Sequence, residues 1–468
     1  MKKQPNTGEI SFKIAKKLQK VLTNPIKSAI INADVNKSKG GKAVLLQFTC
    51  SNHKSIRKKI LFSMLASSDD EHPENLTKIE KHDVLRSAVI YGANGSGKSN
   101  TIDAIAFMKD LVTNGMRNQP NDKIRHSPHK LATSNEESEY TMQFITQGVR
   151  YSYGFTLLNG EVTSEYLKYV PSTRMAKIFT RQGNEIIEGD SFKGRFANGR
   201  EALKSNRLFL SCVANFCDIE EVARAFNFYD KELVIYNRNG NQRDLYRALD
   251  TMANNPKYVA AVSAVLRAIG MPVRDICVKI EKVPMSGDML NTVVKNMVTK
   301  GSSINFANGE IGIYDVKMMY KNFVVDLFEE ESTGTKKIIA FMCSMLDAMA
   351  QNKILICDEL DANLHESVLI YLVKLFHRTA VRDKSQIIFT THNTSVLDLE
   401  YFRRDQIWFT EQRDEDRSTD LYSLIEINNV RKDENTRRGY IGGKYGAIPM
   451  LNEKFADCIC DIVKEVED

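Results

Sequence analysis

The spacing of apolar and polar residues changes several times along the chain. Alternating runs predict β-strands at residues 43–50, 60–65, 140–144, 149–157 and 165–170, the last three joined as a meander by short turns. Helical spacing then predicts helices over 207–216, 219–226, 245–252 and 259–269. Strand patterns return at 278–283 and 311–320, before a long apolar helix over 338–349. The pattern predicts an α/β protein with a mixed sheet, a β-meander lobe and a helical insertion.

A continuous apolar run, Ala88–Tyr91, predicts a strand that is buried on both faces. It ends in a loop of small residues, G-x-x-x-x-G-K-S, and then a helix with apolar residues at 102, 105, 108 and 112. In such a loop the backbone N–H groups surround an anion at the start of a helix. The sequence therefore predicts a site for a nucleoside triphosphate with Mg²⁺. Its loop residues are Gly92, Asn94, Gly95, Gly97, Lys98, Ser99 and Asn100.

Within that loop, two side chains have specific predicted tasks. Lys98 is placed to reach the β- and γ-phosphates, and the Ser99 hydroxyl to hold Mg²⁺. A Gly-rich turn that binds nothing is the alternative. It is disfavoured because strand, lysine, hydroxyl and helix all occur in register.

A second buried strand, residues 354–357, ends in two acids. Asp358 is predicted to hold Mg²⁺ together with Ser99, and Glu359 to polarise the attacking water. The next strand, 386–389, leads into His392, which is predicted to sense the γ-phosphate and orient the water. The alternative for His392 is a histidine that packs in the core.

The long helix over 338–349 is preceded by small and hydroxyl residues that predict a second anion site. We expect this site to close on the same nucleotide from a second copy of the protein. The alternative is an ordinary N-cap, a role that suits Ser332. The residues predicted for the second site are Ser332, Gly334, Thr335 and Lys336.

Charge is concentrated at the N-terminus. Residues 1–42 carry ten lysines and two acids, a net charge of +8, whereas the 468-residue chain carries +6 in all. An amphipathic helix over 10–22 is predicted there, either as a docking or nucleic-acid-contacting element or as a solvated tail. The remainder of the chain is almost neutral, so its charge does not indicate nucleic-acid binding. Direct nucleic-acid binding by the N-terminal helix is left open.

No run of about 18 apolar residues and no secretory h-region occurs, so we expect a cytoplasmic protein without membrane attachment. The eight cysteines form no CxxC pair, which disfavours a zinc site. The predicted division is a basic N-terminal helix and linker (1–42), a first core part (43–200), a helical insertion (201–270) and a second core part (271–468).

Taken together, these motifs resemble an ABC-type ATPase of the SMC-like branch. In that resemblance 92–99 is the Walker A motif, 354–359 the Walker B motif, 360–365 the D-loop with Asp361, and His392 the switch histidine. The signature motif begins at Ser332 and departs from the family's Ser-Gly-Gly-Gln, since Thr333 and Thr335 replace two of its residues.

Further strings are similar to the stand-alone AAA-type ATPases of bacterial defence islands, which include the RloA and AbiL groups and the ATPase subunits of PARIS anti-phage systems. These strings are Asn52-His-Lys-Ser, Asp358-Glu-Leu-Asp, Arg404-Asp-Gln-Ile-Trp-Phe and Tyr445-Gly-Ala-Ile-Pro. The resemblance adds Asn52 and Lys54 to the nucleotide-binding residues. It implies ABC-type dimers in a higher homo-oligomer such as a hexamer, an AriB-like effector nuclease of the Toprim type held in check, and a phage protein as trigger.

An SMC-like DNA-repair or DNA-maintenance ATPase is the alternative, although residues 201–269 are too short and irregular for its long coiled coil. A GTPase is disfavoured because no N-K-x-D motif occurs. The large insertions disfavour a transporter subunit, and the short segment after His392 disfavours a fused nuclease. Two Q-loop candidates stay open, Gln143 and residues 128–131.

Overall fold

The computed structural model describes residues 43–449 except 191, 193–194, 237–241, 285–302, 308–309, 362–363 and 378–384. The predicted N-terminal helix and part of the D-loop lie outside these residues. The helices are α1 (Lys98–Asn114), α2 (Ala197–Glu201), α3 (Phe209–Phe216), α4 (Glu220–Asn227), α5 (Gln242–Asn254), α6 (Pro256–Ala268), α7 (Thr333–Gln351), α8 (Glu366–His377) and α9 (Thr436–Ile441).

The strands of the first half are β1 (Val44–Ser51), β2 (Ile60–Ser63), β3 (Leu76–Ile79), β4 (His82–Leu85), β5 (Ser87–Gly92), β6 (Ser138–Thr146), β7 (Val149–Leu158), β8 (Glu161–Tyr169), β9 (Ala176–Gln182) and β10 (Glu185–Glu188). Those of the second half are β11 (Leu233–Tyr236), β12 (Asp275–Pro284), β13 (Ser303–Ala307), β14 (Glu310–Met319), β15 (Val324–Asp326), β16 (Ile354–Cys357), β17 (Gln386–Thr390), β18 (Ile407–Gln412) and β19 (Thr419–Ser423).

A six-stranded mixed sheet forms the centre, in the order β11-β16-β17-β5-β18-β19. All neighbours in it are parallel except β18 and β19, which run antiparallel. The carboxyl ends of β5, β16 and β17 therefore meet at one edge, where ligands bind in open α/β sheets. This edge gathers the glycine loop, the two acids after β16 and the histidine after β17.

The central strands β16, β17 and β5 are mostly apolar because both of their faces are buried. On β5, Ala88 and Ile90 pack into one hydrophobic core, whereas Val89 and Tyr91 pack into the other. The first core is shared with α1, α3, α4 and an antiparallel sheet of order β10-β9-β8-β7-β6-β1-β2; the second is shared with α5, α6, α7 and α8. The mixed α/β fold with a β-meander lobe is confirmed.

Nine of the 19 strands of the described residues were not predicted: β3, β4, β9, β10, β11, β13, β15, β18 and β19. β9 and β10 extend the meander lobe, and β13 lies in a stretch that reads as polar loop. The most consequential is β11, which interrupts the predicted helical insertion and forms the edge of the central sheet beside β16. Residues 201–270 therefore belong to both cores, with α3 and α4 in one and α5 and α6 in the other.

Candidate functional site

The loop between β5 and α1 has the backbone geometry of an anion cradle. Gly95 and Gly97 lie at φ of +82° and +112°, values that favour glycine. A Cβ on Gly97 would lie 2.1 Å from Thr419 Oγ1, so the loop also needs the missing side chain for space. We call residues Gly92–Ser99 the phosphate loop.

The side chain of Lys98 is buried and folds back under the start of the phosphate loop. Its ammonium group donates to the carbonyl oxygens of Gly92, at 2.7 Å, and Ala93, at 3.0 Å. Burial lowers the pKa of Lys98 from 10.5 to about 8, against the opposing effect of the nearby carboxylates of Glu359, Asp358 and Asp361. A cation held this way gains a stronger partner when a phosphate enters the loop.

Hydroxyl groups of β18, β19 and the turn after β1 support the phosphate loop. Thr410 Oγ1 and Ser96 Oγ are 2.6 Å apart, and the Thr419 hydroxyl donates to Ser96 O at 2.8 Å. Ser55 Oγ lies 2.7 Å from Thr419 Oγ1 and accepts a bond of 2.6 Å from the Asn100 amide on α1. The predicted residue Asn100 therefore joins the start of α1 to the turn after β1.

Asp358 lies against the start of α1. The Ser99 hydroxyl donates to Asp358 Oδ1 at 3.1 Å, and the Thr390 hydroxyl donates to the same oxygen at 2.8 Å. Thr390 Oγ1 in turn accepts from the backbone N–H of Glu359 at 2.7 Å. One buried hydroxyl thus holds both acids at the end of β16.

Glu359 and His392 face each other across the ends of β16 and β17. His392 Nε2 lies 3.8 Å from Glu359 Oε1, and the backbone N–H of His392 donates to Asp361 Oδ2 at 3.1 Å. Glu359 is held at a φ of +52°, a left-handed conformation that is uncommon for a non-glycine residue. The acid, the histidine and the D-loop aspartate form one connected group.

These residues fit Mg²⁺ and a triphosphate. Among the described residues no group of three or more His, Cys, Asp or Glu side chains forms a metal cage. Mg²⁺ commonly binds one or two protein oxygens and completes its shell with water and phosphate. Ser99 and Asp358 supply such a pair next to the phosphate loop, and ATP would supply the rest.

The turn after β1 contains two further predicted residues. Asn52 is buried, its amide donating to Glu136 O and accepting from the His129 N–H, each at 2.8 Å. Lys54 pairs with Asp103 of α1 at 2.6 Å. Asn52 therefore shapes the turn from inside, and its nucleotide contact stays a prediction, as does that of Lys54.

The two Q-loop candidates have different surroundings. Gln143 lies on β6, where its Oε1 accepts from Arg150 at 2.7 Å. The 128–131 stretch is bonded through His129 to the turn after β1, which itself contacts α1. Of the two, this stretch is the one tied to the phosphate-loop surroundings.

Ser332 is the N-cap of α7, and its hydroxyl accepts from Thr335 N at 3.1 Å. Ser332 and Thr333 are exposed, whereas Thr335 is buried and Lys336 donates to Phe328 O at 2.8 Å. Gly334 lies between them in the first turn. The N-cap reading is thus realised inside the chain. The contact with another copy's nucleotide stays a prediction.

Sequence reasoning missed Thr390, Thr410 and Thr419, the hydroxyls that hold the acids and the loop. Each lies in a strand of the central sheet and is fully or almost fully buried. A threonine within an otherwise apolar strand is a signal that could have pointed to these residues, but the partner of each hydroxyl depends on the order of the strands in the sheet.

Among the described residues, none of the helices has the length and apolarity to cross a bilayer.

A search of curated proteins gave no match. Among solved structures, the SMC head domain from Thermotoga maritima is 13% identical, covers 81% of this chain and 98% of its own, and has a TM-score of 0.37. An SmcHead bound to the C-winged helix domain of ScpA is 15% identical, with 81% and 97% covered and a TM-score of 0.36. A Smc head domain bound to the C-terminal domain of ScpA derived from Pyrococcus furiosus is 13% identical, with 81% and 96% covered and a TM-score of 0.36.

A family model described as "AAA domain, putative AbiEii toxin, Type IV TA system" matches residues 87–253 and 278–398. The matched segments contain the phosphate loop, both acids after β16 and His392. They also contain Ser332 and the whole of α7. The match covers more than half of the chain, and the protein therefore belongs to this family of AAA-type ATPase domains.

Proposed function

We propose that the chain hydrolyses ATP as a dimer of identical copies, with each ATP held between the phosphate loop of one copy and the Ser332 end of α7 in the other. One observation carries this proposal. Tyr236, at the end of β11, donates through its hydroxyl to Lys337 O in the second turn of α7, at 3.2 Å. The start of α7 and the phosphate loop thus lie at the same edge of the central sheet.

The strand order supports a site that two copies share. β11 and β5 are three strand steps apart, or about 14 Å at the usual spacing of neighbouring strands. A two-fold symmetric pairing forms each contact twice. The exposed start of α7 in each copy therefore lies against the phosphate loop of the other copy. Isologous closure of this kind gives two composite sites per dimer.

Each residue has a defined task in the reaction. Lys98 balances charge on the phosphates, and Ser99 and Asp358 hold Mg²⁺, which stabilises the charge that develops on the phosphate oxygens. Glu359 accepts a proton from the attacking water while His392 orients it near the γ-phosphate. Thr333 replaces a glycine in the contact from the second copy, and we expect turnover slower than about 10 s⁻¹, a typical enzyme rate.

The biological role that we propose is that of a sensor in anti-phage defence. The motifs quoted above resemble AriA, the ATPase subunit of the PARIS system, within the wider RloA and AbiL group. The description of the matching family, which names a toxin and a type IV TA system, supports a defence role. In this role ATP keeps a homo-oligomer poised while it sequesters an effector nuclease, and a phage protein triggers release.

The dimer is tested with a variant that binds ATP and does not hydrolyse it. Glu359→Gln should form a stable dimer with ATP and Mg²⁺, measured by analytical ultracentrifugation. Lys98→Ala should bind no nucleotide, so its mass should not change when ATP is added. A Glu359→Gln protein that binds ATP without changing its mass would contradict the proposal.

The defence role needs a separate experiment. Native mass spectrometry of the chain co-expressed with its genomic neighbour should show a homo-oligomer that carries a small nuclease subunit. ATP-dependent DNA binding by the chain alone, with no such subunit, would instead support an SMC-like DNA-maintenance ATPase.

A further inference from the structure

The turn between β14 and β15 carries an exposed apolar surface. Phe323, Val324 and Met319 are exposed large apolar side chains, and Phe323 is 58% exposed. The Tyr320 ring stacks on Phe323 with a centroid distance of 4.8 Å and an angle of 18°. We call Met319, Tyr320, Phe323 and Val324 the hairpin patch.

The hairpin patch is joined to the start of α7 by hydrogen bonds. The Tyr320 hydroxyl donates to the carboxylate of Glu331, which immediately precedes Ser332. Lys317 of β14 pairs with Asp326 at 2.8 Å, and Asp326 Oδ1 accepts from Phe328 N at 2.7 Å. Tyr320 therefore ties the hairpin patch to the residue that precedes the exposed start of α7.

We infer that the hairpin patch docks against a second copy of this chain when ATP closes the dimer. This inference rests on the proposed function, because that dimer brings a second copy onto Ser332. A surface bonded to Glu331 then lies beside Ser332, inside the same contact. Aromatic residues and methionine are enriched in such interfaces, and stacked rings bury a large apolar area at small entropic cost.

The position of the hairpin patch favours a second copy, rather than an unrelated protein, as its partner. The patch is fixed to the residue beside Ser332, so anything that covers it is placed next to the nucleotide contact. Its occupancy would then depend on ATP, as closure of the dimer does. An unrelated partner has no such need for this position on the surface.

The test uses Phe323→Glu in the Glu359→Gln background, with Ile187→Glu as the matched control. Ile187 is 57% exposed and lies on β10, at the far edge of the antiparallel sheet. We expect Phe323→Glu to raise the dissociation constant of the ATP-bound dimer about tenfold or more, as loss of a central aromatic contact does. ATP affinity should stay unchanged, and Ile187→Glu should dimerise normally.

A crosslinking experiment identifies what covers the patch. With the photoreactive residue p-benzoylphenylalanine at position 323, ultraviolet light should link two copies of the purified chain in the presence of ATP and Mg²⁺ only. Phe323→Glu dimers as tight as those of the control, or no crosslink in a sample shown to be dimeric, would overturn this inference and leave the dimer intact. Absence of any ATP-dependent dimer in Glu359→Gln would instead overturn the proposed function, and this inference with it.

Discussion

Thr390 is the side chain that links the two acids at the end of β16. Its hydroxyl donates to Asp358 and accepts from the Glu359 N–H, and it is fully buried. Asp358 would share Mg²⁺ with Ser99, and Glu359 would activate the attacking water. Thr390 therefore fixes the Asp358 carboxylate relative to the backbone of Glu359.

Replacing Thr390 by valine keeps the shape of the side chain and removes the hydroxyl. We expect kcat to fall about 10- to 100-fold, because a hydrogen bond to a charged group contributes about 1.5–3 kcal/mol. ATP affinity should change little, since Lys98 and the phosphate loop are untouched. Thr390→Ser should recover most of the rate; equal loss in both variants would show that packing, and not the hydroxyl, matters.

The buried position of Lys98 predicts a pH dependence of ATP binding. Its pKa of about 8 means that the ammonium form, which binds phosphate, predominates below pH 8 in the free protein. Above pH 8 a proton must be taken up on binding, so ATP affinity should fall with rising pH, by at most about tenfold per unit. Isothermal titration calorimetry between pH 7 and 9.5 measures this fall.

Lys109 provides the control for this profile. Burial lowers its pKa to about 8 as well, but its ammonium group donates to Leu233 O, away from the phosphate loop. Lys109→Arg should leave the pH profile of ATP binding unchanged. A flat profile in the wild-type protein, or one that Lys109→Arg removes, would contradict the role given to Lys98.

At the scale of elements, the phosphate loop follows β5 and is held by contacts with β18 and β19. Gly97→Ala would place a methyl group 2.1 Å from Thr419 Oγ1 in a left-handed backbone conformation. We expect ATP affinity to fall at least about tenfold, because strain of about 1–3 kcal/mol disfavours the binding conformation. Gly183→Ala, at a φ of +54° in the turn between β9 and β10, controls for backbone strain outside the phosphate loop and should leave ATP affinity intact.

Helix α7 allows the N-cap role of Ser332 to be separated from its predicted contact with a second copy. Aspartate is as good an N-cap as serine, so Ser332→Asp should keep the melting temperature within a few degrees. Its charge would repel the γ-phosphate of the second copy's nucleotide, so the ATP-dependent dimer of Glu359→Gln should be lost. Normal dimerisation of the double variant would leave Ser332 with the N-cap role alone.

The sequence predicted elements where the pattern was long or the motif local. α1, α7 and the meander strands β6, β7 and β8 follow from periodicity, and Asp358 follows directly from its place after an apolar strand. β11 was missed because four residues between helical segments carry little periodic signal, and their strand conformation comes from pairing with β16. The threonine contacts were missed for a related reason, since they join strands that are distant in the chain.

At the scale of the molecule, two hydrophobic cores lie on the two faces of one sheet, and the chain crosses between them several times. The predicted boundaries at 200 and 270 follow changes in local pattern. The division between the cores follows the strand order, which local pattern does not contain. The sheet edge that collects Lys98, Asp358, Glu359 and His392 is a product of that order.

The most direct test of the shared ATP site mixes two inactive variants. Lys98→Ala lacks a working phosphate loop, and Ser332→Arg lacks a working helix start, so neither should hydrolyse ATP alone. In a mixed dimer, the intact loop of the Ser332→Arg copy meets the intact helix start of the Lys98→Ala copy. We predict that ATP hydrolysis, measured by phosphate release, reappears on mixing; a mixture as inactive as its two components would contradict the account.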